Sequence, residues 1–397
     1  MASMLILSAY FTKTSVLMQQ RKERLLLNAT SGLQYVLADD NAVKINESIN
    51  FDLYENQEDS VLLTRKQWGV FQIAACVAFK GKDSVAQTAM YGFKPDAILQ
   101  SALYVSDQNR PLYLCGDTKL KGLCYIPEAG VKRAYIEGQG YINNKLIEGE
   151  EKQSKTSLPP LSETLSQTLA STFDKLQPTF TEPIEKLPDT LYQSFSKPTI
   201  VVQLPNGYIL ENKHFSGNII LYSNGKIELS NTNKLQDILL YASSIVIKER
   251  FLGTIQAFVQ DSLLVEKNCT LNYPSALGVI KNKFEKFQQF VQISENSIVK
   301  GILIGYCKVE DLAKIRISMD KDAILLGQLY ADGFAELKGK VFGNVTCGKL
   351  LLRTPSSTYE NHLLNTTLDY SQLPKNFVGS ALLPTQNIKK VIRYYNW

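Results

Sequence analysis

The chain has 397 residues, 44% of them apolar and 20% charged, a balance that fits a folded protein with a substantial core and excludes global disorder. Its formal net charge of +5 is spread along the chain without a dense Lys/Arg stripe, which argues against a nucleic-acid partner. Two histidines against twenty tyrosines leave little material for a His-based catalytic centre or a His-rich metal site.

The first segment, "MASMLILSAYF", is too short an apolar run to span a bilayer, which needs roughly 20 residues, and it lacks the basic start and small-residue cleavage site of a signal peptide. It continues into "TKTSVLMQQRKERLLLNATSGLQYVL" as one helix over 1–37, with Arg21, Lys22 and Arg24 as a basic cluster. The expectation is the tail of a membrane helix whose apolar first half lies upstream, with Met1 and Ala2 added in front. A simply buried N-terminal helix is the alternative.

Residues 38–110 read as β-rich: "SINFDLYE" alternates, and "QWGVFQIAACVAFKG" is a long apolar run with β-branched and aromatic residues. Residues 111–148 carry "LKG" at 120–122, a phrase that returns at 337–339, and predict first coils or a cap. Residues 149–198 are rich in Ser, Thr and Pro. There Leu161, Leu165, Leu169, Phe173 and Leu176 mark one face of a helix starting near Ser157–Pro160, and a second short helix is expected over 188–195. This helical insertion is expected to pack on its own chain.

From 199 to 373 short alternating strands follow single glycines: "FSGNIIL", "FLGTIQA", "VKGILIG", "LLGQLYA", "LKGKVFG", "FGNVTCGKLLL". Only "SNGK" (223–226) and "ADGF" (331–334) carry a hairpin signal. The pattern predicts a mainly β chain built as a degenerate right-handed parallel β-helix, with a β-sandwich as competitor. Gly217, Gly253, Gly301, Gly327, Gly339 and Gly343 are the expected corner glycines, and Ile219, Ile255, Leu303, Leu329, Val341 and Val345 the stacked core. Residues 374–397 are expected to close one end as a capping helix, although "KKVIRYY" would also suit an acidic surface.

The chemistry motifs are missing. "GFAELKGKV" (333–341) has the wrong glycine spacing for a phosphate loop and places Val341 where Ser or Thr is needed; no GxSxG, HExxH or EF-hand loop occurs. Asp320, Asp322, Asp332 and Glu336 are the acids that stacked coils would bring together for glycoside chemistry, though as corner residues they are expected to be solvated. His214 and His362 are isolated. None of the six cysteines forms a CxxC pair; Cys115 and Cys124 would bridge across a turn, or all remain buried thiols. No catalytic residue, metal or cofactor is assigned.

Two families lend expectations. "KTSVLMQQRKERLLLNATSGLQYVL" resembles the amphipathic half of the N-terminal helix of type IV pilin-like proteins, without their processing motif or the glutamate near the mature start. "LKGKVFGNVTCGKLLL" resembles the short coils of bactofilin-like parallel β-helices. Together these imply a non-enzymatic bacterial cell-envelope structural or assembly protein, inner-membrane anchored, with a periplasmic or surface-exposed head and protein partners or self-assembly through its first helix. A carbohydrate-binding or carbohydrate-active surface β-helix and a trimeric tailspike-like adhesin are the alternatives.

Overall fold

The computed structural model describes residues 2–39, 42–53, 59–281, 287–307 and 314–395. The chain is mainly β and divides into two units: unit 1 holds residues 1–92, 194–198 and 389–397, and unit 2 holds 93–193 and 199–388.

Unit 1 is a helix on a sheet. Helix α1 (Ala2–Ala38) buries Leu25, Ala29, Leu33 and Val36, which share one face at helical spacing, against β2 (Ser60–Trp68) and β3 (Phe71–Lys80). The approach is close because residue 32 is glycine: a Cβ there would stand 2.5 Å from the Cys76 sulfur. The sheet runs β1 (Glu47–Phe51), β2, β3, β4 (Asp83–Pro95), antiparallel through β4, and ends in the strand Thr385–Tyr395. The capping helix expected over 374–397 is therefore corrected. Thr385, Ile388, Val391, Ile392, Tyr394 and Tyr395 are strand-favouring residues, and as a strand they satisfy the open backbone edge of β4. Residues 194–198 also belong to this unit, where Phe195 sets its ring edge-on to Trp68 at 5.1 Å and packs on Tyr395 at 5.0 Å.

Unit 2 is built on parallel pairing, which does not fit the antiparallel sheets of a β-sandwich, and its pairings link strand to strand in one continuous sheet. Register partners trace a single column, Val202, Leu221, Leu240, Ala257, Leu277, Leu303, Leu329, Val345, Leu103 and Cys124, every member buried. A second column, Leu210, Leu229, Ile247, Val265, Ile293, Met319 and Leu337, lies on another stretch of the same wall. All six expected core residues are buried, but in several columns: Leu303, Leu329 and Val345 share the first, whereas Val341 rests on Leu325.

The bends are made in three ways. Gly301, Gly327 and Gly343 are direct register partners with φ of +148°, +152° and +151°; a Cβ on each would lie within 2 Å of the carbonyl oxygen of the residue below it. Only glycine fits that column. At another bend the left-handed position is taken by Arg250, Asn268, Asn296, Asp322 and Asn365 (φ +54° to +64°). Asn and Asp tolerate this conformation, and the small buried residues that follow, among them Cys269, Ser297, Ala323 and Thr366, leave room for the turn. Ser297 and Thr366 hydroxyls donate to the Glu266 and Leu337 carbonyls, each at 2.7 Å, and so satisfy backbone groups turned inward. The third device corrects the hairpin reading. "SNGK" and "ADGF" sit at register shifts inside continuing parallel strands, between Ser223 and Lys226 and between Ala331 and Phe334. Among the other expected corner glycines, Gly217 has φ +92°, Gly253 makes room for the buried Phe251 ring, and Gly339 passes beside the Ala323 carbonyl.

Stack order and chain order differ. The strand Leu103–Val105 pairs with Lys340–Arg353, so the first residues of unit 2 lie beyond its last long strand, and Cys124–Ile126 and Glu151–Gln153 follow outward. The chain then returns past ten strand spacings, about 48 Å, through residues 154–189. Its path is marked by contacts: the Tyr104 hydroxyl donates to Ser157, the Tyr330 hydroxyl to Pro159, Phe173 meets Tyr241 edge-on, and the amides of Thr179 and Phe180 donate to Val201. Helix α2 (Glu163–Lys175) buries Leu165 and Leu169 on this route. The second expected helix is replaced by a turn at Ile184–Lys186 and a strand, Thr190–Gln193, that pairs with His214–Gly217.

Substituting Gly327→Ala should cost about 3 kcal/mol or more in denaturant unfolding. Gly207→Ala, also at positive φ (+74°) but with no atom within 4 Å of the new Cβ, should cost about 1 kcal/mol. Equal losses would show that contact between stacked backbones does not hold the column.

Candidate functional site

The two halves of α1 have opposite environments. Beyond the buried Leu25–Val36 face, Met4 (78% exposed), Leu5 (71%), Ile6, Leu7, Tyr10, Phe11, Val16, Leu17 and Met18 all face solvent. Met4 to Leu7 are consecutive, so at 100° per residue they cover most of the helix circumference rather than one stripe. The Thr12 and Thr14 hydroxyls donate to the Ser8 and Tyr10 carbonyls four residues back, which hides their polarity within the helix. The basic cluster marks where the free half begins: Arg21 pairs with Asp83 at 2.7 Å and Arg24 with the buried Asp59 at 3.0 Å. Among the described residues no helix is long and apolar enough to cross a membrane.

Of the two readings of Cys115 and Cys124, the bridge is not formed; both are free and buried. They lie in different packing clusters, Cys115 with Ile136 and Leu352, Cys124 under Leu103. Burial pushes the thiols up, to about 11 for Cys115 and about 12 for Cys124, so they are poor nucleophiles.

The four acids are not gathered into one catalytic pair. Asp322 occupies a left-handed corner, the Asp320 carboxylate accepts from Gln292 at 3.1 Å, and burial raises the Asp332 carboxyl. Glu336, expected to be solvated, is buried and ringed by Arg316 (3.1 Å), Lys338 (3.4 Å) and Arg353 (3.9 Å).

Sequence reasoning passed over His362 as isolated; the structure sets it in a cleft. Parallel pairing of Leu112–Cys115 with His362–Leu364 puts Tyr113 and His362 face to face, centroids 4.5 Å apart and planes 12° apart, with Tyr359 tilted against His362 at 5.4 Å. Arg110, Arg353, Gln288, Phe334 and Thr358 complete a cleft of about 640 Å³. On its rim Glu360 receives Arg110 at 3.0 Å and Lys349 at 3.1 Å. Burial lowers the His362 pKa, against the opposing pull of the Glu360 carbonyl on its ring nitrogen. The local signal was the pair Tyr359 and His362; Tyr113, far away in the chain, gave none. His214 is exposed and away from the cleft.

No family model matches the chain, and no curated protein matches it. Among solved structures, the competence-associated pilin ComZ from Thermus thermophilus aligns over 88% of this chain and 86% of its own, with a TM-score of 0.28 at 10% identity. A superposition that loose does not establish a common fold.

The lowered His362 pKa means that the fold prefers the neutral ring. Protonation therefore costs stability as pH falls below the unfolded value of about 6.5. Relative to His362→Gln, the native chain should lose stability between pH 8 and pH 5 in urea unfolding. A pH-independent difference would contradict the burial argument.

Proposed function

We propose that the protein is a non-enzymatic structural or assembly component of the bacterial cell envelope. In this reading the exposed half of α1 packs into a bundle with the same segment of other copies, and unit 2 is the displayed head. We read the parallel stack as the wall of a right-handed β-helix, the hand that parallel crossover connections almost always take.

The observation that carries the proposal is the apolar girdle at Met4–Leu7. A helix apolar on all sides is ordinarily buried, and monomeric proteins rarely expose so large a contiguous patch. A single flat partner would cover one side; several parallel helices cover all of them. Burying one large side chain contributes roughly 1.5–3 kcal/mol, so a few such residues per copy suffice to drive association. The intrahelical bonding of Thr12 and Thr14 removes two of the polar groups that would resist that packing, and the long side chain of Lys13 can reach past it to solvent. An envelope location follows from the likeness of this helix to pilin-like segments, and an upstream anchor would extend the same apolar surface.

Sedimentation of the purified chain over a range of concentrations should show large, open-ended assemblies. Leu5→Glu with Phe11→Glu should return it to monomer without changing its circular dichroism, since neither residue touches the core. A monomer at all concentrations would contradict the reading, as would a closed trimer, the state of a tailspike-like adhesin. Flotation with phospholipid vesicles in place of self-association would assign the girdle to a lipid surface instead.

A further inference from the structure

The geometry points to the Tyr113–His362 cleft as a binding site for an acidic oligosaccharide, recognised through sugar rings laid on its aromatic walls and a carboxylate held by Arg353. This is independent of α1 and of assembly: every residue involved belongs to unit 2.

Three features converge. The first is size: about 640 Å³ falls within the 300–1,000 Å³ range of small-ligand sites. The second is the aromatic lining. Tyr113, Tyr359 and Phe334 bring rings to the cleft, and the negative face of such a ring attracts the weakly positive C–H face of a pyranose. His362 backs Tyr113 as a neutral ring and adds no charge that would repel a cation or demand an anion. Gln288 and Thr358 offer donors and acceptors for sugar hydroxyls.

The third feature is the charge balance, and it selects the class of sugar. Two carboxylates, Glu360 and Glu336, are met by five cations: Arg110 and Lys349 on the first, Arg316, Lys338 and Arg353 on the second. The surplus is positive. Arg353 lines the cleft, is 42% exposed, and sits 3.9 Å from a carboxylate that already has two closer partners. That long contact is the one a carboxylate of the ligand can replace, taking the planar fork of Arg353 in bidentate fashion. A uronic acid supplies both that carboxylate and the apolar ring face. Strand addition by an acidic peptide is less suited, since Leu112–Cys115 already has parallel partners on both sides.

Isothermal titration of the full chain with a galacturonic acid hexasaccharide, with cellohexaose as neutral control and a glutamate hexapeptide as acidic control, tests this. The acidic sugar should bind best and weaken with added salt. Arg353→Ala should weaken it at least tenfold and erase its advantage over cellohexaose; Tyr359→Ala should weaken both sugars. Lys234→Ala, a distant cation, should leave binding unchanged. Tyr359→Leu replaces Tyr359→Ala if the latter fails to fold. No binding of the acidic sugar, equal binding of both sugars, tighter binding of the peptide, or binding indifferent to both cleft substitutions would each overturn the proposal.

Discussion

Parallel pairing in register forces every inward side chain to rest on the one from the neighbouring strand, and the rest of unit 2 follows from keeping that register. The column from Val202 to Cys124 contains only Val, Leu, Ala and Cys, and no member is large enough to push its neighbours out of line. Where a larger ring enters the core, as at Phe251, a glycine at 253 yields the space. Where the backbone must turn, the turn residues also align, since a bend out of register with the next would break the hydrogen bonds between strands. The glycine column and the Asn/Asp column are two answers to that single demand.

Register also accounts for the threading. A stack of parallel strands has two open edges, each a row of unpaired backbone groups. Residues 103–153 cover one of them, ending in Glu151–Gln153, whose charged and polar side chains are all exposed. Residues 176–189 cover the other, where Thr179 and Phe180 donate to Val201. Both caps come from one stretch of chain, so that stretch must run the length of the stack. The Ser/Thr/Pro-rich segment is thus a return path held at intervals by Tyr104, Tyr330 and Tyr241, and its low apolar content suits a strap that lies on the outside of a wall.

What could be read from the sequence was whatever is local. The glycines at 301, 327 and 343 announce themselves because no other residue explains their spacing, and the amphipathic half of α1 shows in Leu25, Ala29, Leu33 and Val36. The Asn268 and Asn296 corners stayed hidden because Asn is ordinary on any surface, and Asp322 was placed at a corner only as a solvated acid; the small residue after each is the one hint of a repeated turn. "TQNIKKVIRYY" was misread because basic and aromatic residues suit a terminal helix as well as an edge strand, and only the open side of β4 decides. The pairing of Leu103 with Val345 and the meeting of Tyr113 with His362 join residues 242 and 249 positions apart. No local pattern carries such a contact. Glu336 looked solvated for the same reason: Lys338 is its close neighbour in the chain, but Arg316 and Arg353 arrive from two other strands.

The central claim is that residues 101–126 continue the stack beyond the last long strand. Amide hydrogen exchange followed by mass spectrometry measures this directly. The amides of Ala102, Ser106 and Val345 bond to Leu123, Cys347 and Ala102 respectively. Peptides covering 101–126 should therefore exchange as slowly as those covering 324–347, and both far more slowly than the loop at 143–146, whose tip, Asn144 and Lys145, is exposed. Rapid exchange across 101–126, with 324–347 protected, would show that the stack ends at Lys340–Arg353 and would contradict the threading.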